Sequence, residues 1–87
     1  MILISVFDQI AATWSNPAPC QNASAAVRDF LTACKDERSL LGQHPEDFVL
    51  YEVGEWIVPS DESKMPIFNV RDPFKILSKG SKTFSDQ

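Results

Sequence analysis

His44-Pro45-Glu46-Asp47 is the densest group of chemically capable side chains in the chain, with an imidazole and two carboxylates beside a proline. A Ser-His-Asp set can be written from Ser39, His44 and Asp47. However, the sequence has no nucleophile elbow and no glycine-rich oxyanion loop to serve it. Glu46 and Asp47 are adjacent and point different ways, so they cannot flank a substrate as acid and base. His44 is the single histidine. Cys20 and Cys34 follow no metal spacing, and there is neither a GxGxxG nor a Walker loop. The cluster therefore reads as structural, and the chain as non-enzymatic, with no cofactor and no metal. Pro45 drives His44 toward extended backbone, and Glu46 and Asp47 suit the first turn of a short helical segment. The imidazole is expected to cap or pack that turn, with Glu46 or Asp47 bonding backbone amides.

A second kind of chemistry is electrostatic. Residues 1–63 hold three bases against ten acids, net −7, and residues 64–87 hold five bases against two acids, net +3. An acidic body with a basic end is the asymmetry of a tail that meets an anion or folds onto its own body. The pI near 4.7 lies far below the value above about 9 of typical nucleic-acid-binding domains. Trp14, Tyr51, Trp56, Phe68 and Phe74 have rings that could stack on bases. Set against this, a small domain needs its aromatics for burial, which assigns Phe48, Phe68 and both tryptophans to the core.

These side chains must be positioned by few elements. Ile2 to Phe7 alternates and is β-branched, with apolar residues on both faces, as in a central strand ended by Asp8. Residues 15–22, with two prolines and two asparagines, read as a loop. Asn22 is an N-cap for a helix whose Ala23, Ala26, Val27, Phe30, Leu31 and Cys34 share one face and which ends near Asp36 to Arg38. Leu40 and Leu41 tuck under the connection that follows. A strand from Phe48 is broken at Gly54, which marks a bulge, and resumes through Trp56 to Val58. Pro59 to Lys64 is a polar loop, and Pro66 to Arg71 an antiparallel second strand. The fold class is α+β: one helix packed on a small, mostly antiparallel sheet in β-α-β-β order. The compact domain covers residues 1–72, and residues 73–87 form a basic, mobile tail.

At 87 residues and 44% hydrophobic, this is one small domain with a thin core, so a second copy is expected to add stability. Cys34 falls on the apolar helix face and reads as a small buried hydrophobe. The apolar start MILISVF has no basic flank and stops at Asp8, short of a signal peptide or a membrane span. The expectation is a cytosolic protein that does not engage a membrane.

The order of motifs resembles a known family. Strand 2–8 ending in Asp8 leads to Ala11, Ala12 and Trp14, then Pro17 and Pro19. After these come Ala26-Val27-Arg28-x-Phe30 and His44-Pro45-Glu46-Asp47-Phe48-x-Leu50-Tyr51-x-x-Gly54-Glu55. This resembles the small nonstructural protein of gokushovirus-type microviruses, which are single-stranded DNA bacteriophages. The likeness covers roughly residues 1–57 and departs after Trp56. It implies a phage protein made in the host cytoplasm and absent from the mature shell. It further implies DNA binding, or a part in turning replication toward single-strand synthesis and packaging. The leading reading is an accessory protein that binds single-stranded DNA as a homodimer or higher homo-oligomer. Arg71, Lys75, Lys79 and Lys82 would contact phosphate, joined by Arg28 or Lys35. The rival is an adaptor that docks a protein, such as a phage replication initiator or the procapsid, without touching DNA.

Overall fold

The computed structural model describes residues 1–81. Strand β1, Ile2–Asp8, is central and pairs antiparallel along both edges. On one edge lie β2, Thr13–Trp14, and β3, Ala18–Cys20; on the other lies β4, Phe48–Ile57. The long β5, Ile67–Lys79, closes the far edge against β4. The five-stranded sheet has the order β2-β1-β4-β5, with β3 beside β2 on β1. This is the small α+β domain the sequence implied, one main helix on an antiparallel sheet.

Three differences from the sequence reading have clear causes. The stretch 15–22 is not all loop, because Ala18–Cys20 adds to the edge of β1. An edge position tolerates Pro19, whose missing N–H faces away from the ladder. Ser15 makes the crossing point: its amide donates to the Val6 carbonyl at 2.9 Å and its Oγ accepts from the Val6 amide at 2.9 Å. The second strand does not stop at Arg71 but runs to Lys79. Register shifts opposite Leu50/Tyr51 and Glu52/Gly54 mark bulges, and each bulge resets the in-out alternation that a period-two pattern needs. The rest of the expected tail, residues 82–87, lies outside the described residues.

Helix α1, Ala23–Ala33, starts as its sequence demands, with Asn22 Oδ1 accepting from the Ala25 amide at 2.8 Å. It ends earlier than Asp36. Amides of Lys35 and Asp36 reach back only three residues, to Thr32 and Ala33, and the Asp36 carboxylate takes the Arg38 amide at 3.1 Å and its Nε at 2.9 Å. An Asp that bonds its own neighbours competes with the helix ladder. The short α2, Leu40–Gln43, is capped by Ser39, whose Oγ accepts from Gly42 N at 3.0 Å. A 3-10 turn, Pro45–Asp47, then launches β4.

The core lies between α1 and one face of the sheet. Ala26, Phe30, Cys34 and Leu50 are buried there, with Ile4, Val6, Leu41, Phe48 and Leu77 packed around them. Leu41 is thus tucked in as expected, whereas Leu40 is exposed.

Candidate nucleic-acid interface

A single helix covers a single face; on the opposite face Leu3, Ser5, Val49 and Val53 are still buried, and it is the outer surface there, with Trp14 and Phe74 exposed, that is left open. Cross-strand partners share a face. The pairs Phe7 with Trp14, Phe7 with Val49 and Ser5 with Tyr51 therefore bring their side chains to that open side. Four rings gather on it. Trp14 lies 4.6 Å from Phe7, 5.0 Å from Tyr51 and 5.3 Å from Phe74, and Tyr51 lies 6.5 Å from Phe74, all centroid to centroid. All pairs are tilted or edge-on, the favoured geometry for aromatic quadrupoles. The cluster is not a core: Trp14 is 46% exposed and Phe74 39%. The assignment of Trp14, Trp56 and Phe68 to the interior is corrected here, since all three are exposed, while Phe48 does pack on the core.

Two hollows flank the rings. One of about 630 Å³ runs between Trp14, Tyr51, Phe74 and the segment Val70–Pro73, with Arg71 and Asp72 on its rim. A narrower one of about 370 Å³ lies between Trp14, Pro17, Val53 and Phe74, with Ser5 at its floor. Ser5 is buried and donates from Oγ to the Ser15 carbonyl at 2.7 Å, which fixes β1 against the 13–20 edge under Trp14. Flat rings of different tilt at a surface can take a planar heterocycle.

The six cations named from sequence divide into groups. Arg71 borders the aromatic hollow, but its guanidinium reaches Glu52 at 3.7 Å, and Glu52 pairs with Ile4 and Lys75 on the helix-covered side. Lys79 pairs opposite Val49 in the sheet, which places it on the open side. Arg28 and Lys75 meet elsewhere, across a groove of about 530 Å³ between α1 and β5. Lys75 stands opposite Glu52 in register, and Arg28 lies 3.6 Å from its neighbour Asp29 with both side chains exposed. Exposed pairs of this kind cost little to break. Lys35 follows the end of α1 and joins neither group. Lys82 lies outside the described residues.

The His44 cluster forms no such site. His44 ends α2 and begins the 3-10 turn with no side-chain cap bond, so the imidazole does not cap it. The backbone does that work: the Asp47 amide donates to the His44 carbonyl at 3.0 Å, and the Asp47 carbonyl accepts from Gln9 at 2.9 Å. Pro45 is the buried member. Among the described residues no three His, Cys, Asp or Glu side chains converge as a metal would require. Among the described residues no helix is long and apolar enough to cross a membrane.

The family described as Phage ORF5 protein matches residues 1–83. The chain belongs to that family. It is a bacteriophage protein, and the family match spans the helix, the sheet and all four rings of the aromatic cluster. Neither the curated proteins nor the solved structures gave a match. The sequence reading named Trp14, Tyr51 and Phe74 as able to stack on bases but did not bring them together. A usable signal was present: Phe7 and Trp14 flank a turn that begins at Asp8, so a hairpin there puts both rings on one face.

Proposed function

We propose that this phage protein binds single-stranded DNA without catalysis or a cofactor, as an accessory factor of genome replication or packaging in the host cytoplasm. The gokushovirus-type microviruses are the group whose small nonstructural protein it resembles. The observation that carries the reading is the cluster of exposed Trp14 and Phe74 about a half-buried Tyr51. Soluble monomers seldom leave contiguous aromatic surface in water without a use for it. Base stacking on such a surface contributes about 1–3 kcal/mol for each base and tolerates any sequence. Lys79 then contacts the backbone on the same side, Arg71 reaches it from the edge once it leaves Glu52, and Arg28 with Lys75 offers a second phosphate track around the β5 edge.

The test is a titration of oligothymidylate into the full chain, followed by indole fluorescence at low salt. Binding in the micromolar range that quenches the signal and is weakened at least about fivefold in Trp14→Ala supports the proposal. Absence of binding at low salt removes it. The adaptor reading then stands, favoured by the surplus of acids, net −4, which suits a basic protein partner better than a polyanion.

A further inference from the structure

We infer that the aromatic platform selects unstacked, pyrimidine-type strands over self-stacked purine strands, because Trp14 and Phe74 form a wall between two neighbouring base sites. The inference rests on the single-strand-binding reading and names the kind of strand that the platform takes. Three observations carry it.

First, the two hollows are neighbours with a shared boundary. The hollow of about 370 Å³ and the one of about 630 Å³ have two lining residues in common, Trp14 and Phe74. The rings of these residues touch, with centroids 5.3 Å apart. Their contact is therefore a ridge with one hollow on each side. Each hollow lies in the volume range of small-ligand sites, about 300–1,000 Å³.

Second, the rings present no common plane. Trp14 and Phe74 stand at 83° to each other, and Tyr51 is tilted by 59° to Trp14 and by 60° to Phe74. A base lying flat on one ring cannot be parallel to a base lying flat on another. In a self-stacked strand, successive bases are nearly parallel and in contact. Seating them in the two hollows puts the ridge between them and turns their planes, so the stack must open. Oligodeoxyadenylate stacks strongly on itself and loses that energy, whereas oligothymidylate hardly stacks and loses little. Stacking strength and backbone flexibility are what give single-strand binders their modest preferences.

Third, the smaller hollow keeps no hydroxyl free to read the edge of a base. Ser5 Oγ donates to the Ser15 carbonyl at 2.7 Å. Ser15 Oγ accepts from the Val6 amide at 2.9 Å and donates to the Asn16 carbonyl at 3.4 Å. The side chains of Pro17 and Val53 offer only carbon. Discrimination is left to stacking and shape. Lys79, Val49, Phe7 and Trp14 are successive cross-strand partners, so a phosphate held by Lys79 lies on the same side as the rings.

The direction of the preference is diagnostic. A single flat platform would favour adenine, whose larger ring offers more stacking area. Two hollows divided by a wall favour thymine.

Equal-length oligomers of thymidylate, deoxyuridylate and deoxyadenylate, each titrated into the full chain at low salt and followed by indole fluorescence, test this. Thymidylate should bind at least about fivefold more tightly than deoxyadenylate, with deoxyuridylate within about twofold of thymidylate. Any smaller thymidylate-to-deoxyadenylate ratio overturns the inference, and because both strands then bind, it leaves the single-strand reading standing. Deoxyuridylate outside its window overturns the inference too, since the thymine methyl group and not strand flexibility would then decide. Phe74→Leu removes one ring of the wall and keeps an apolar side chain, so the ratio should fall to about one. An unchanged ratio in that variant overturns the inference. Should the variant fail to fold, the three oligomers on the unsubstituted protein still decide. Binding of none of the three removes the inference together with the reading beneath it.

Discussion

The indole of Trp14 and the ring of Phe74 meet edge-on, with centroids 5.3 Å apart and planes at 83°. Trp14 belongs to β2 at one edge of the sheet and Phe74 to β5 at the other. Three strand spacings separate those edges, about 14 Å in a flat sheet. Both rings therefore lean inward across Tyr51 from opposite sides, so one contact ties the N-terminal hairpin to the C-terminal strand. It also builds the platform on which the functional reading rests.

That contact makes two effects separable. Trp14→Ala and Phe74→Ala should each weaken oligothymidylate binding by about 1–3 kcal/mol, a rise in Kd of about 5- to 150-fold. Their stability effects should not add. A double-mutant cycle on thermal unfolding should return a coupling of about 0.5–1.5 kcal/mol.

Salt dependence reports which cations touch DNA. If only Arg71 and Lys79 contact phosphate, log K against log salt should slope by about −1.4, taking about −0.7 for each phosphate neutralised. If Arg28 and Lys75 also engage, the slope should approach about −2.8. Lys75→Gln then distinguishes the two: it flattens the slope by about 0.7 in the second case and leaves it unchanged in the first.

Gly80 should be intolerant of any side chain. Its amide donates to the Phe48 carbonyl at 2.9 Å, and a Cβ there would run into the carbonyl of Pro45. Neither group is a flexible side-chain end, so Gly80→Ala must push the end of β5 off the 3-10 turn. A loss of about 1–3 kcal/mol is expected, read as a fall in thermal midpoint.

Cys34 should be the inert thiol and Cys20 the reactive one. Cys34 is fully buried, and burial raises its pKa above the ordinary 9.0, partly offset by a backbone hydrogen bond from Ser81. The folded protein therefore holds this proton more tightly than the unfolded chain. Its contribution to stability is complete below about pH 9 and is lost as pH rises through the raised value. Cys34→Ala should flatten that alkaline decline, and thiol titration of the native protein should label Cys20 first.

Among the described residues Ala12 is the one non-glycine at positive φ, at 56°, where a Cβ crowds the backbone. Asp8 holds this turn by accepting from the Ile10 and Ala11 amides at 3.0 and 3.2 Å. Ala12→Gly should therefore stabilise the protein by about 0.5–1 kcal/mol, seen as a higher midpoint in urea.

Much of the architecture is local and so can be read from the chain. Asn22 specifies a helix start because its side chain needs only an amide three residues on. Ile2 to Phe7 specifies a central strand because both of its faces are apolar. Pro59 to Lys64 specifies a turn by composition, and Cys34 follows Phe30 onto the buried helix face at helical spacing. The structure agrees on all four, since each depends on neighbours within a few positions.

What the chain alone left open depends on contacts between distant segments. The extent of β5 was hidden because its bulges shift the alternation, and only pairing with β4 and the fit of Gly80 against Pro45 hold it in place. Trp14, Phe68 and Trp56 are apolar, and hydrophobicity by itself directs them inward. Whether they are covered depends on how many helices the chain has for two sheet faces, and it has one of useful length. The charges behave likewise: sequence separates an acidic body from a basic end, while strand register sends Lys79 to one face and Lys75, with Arg28 nearby, to the other, where the Arg71 guanidinium also reaches Glu52. Spacing along a chain fixes periodicity, but which faces meet water is settled only when all the elements compete for the same core.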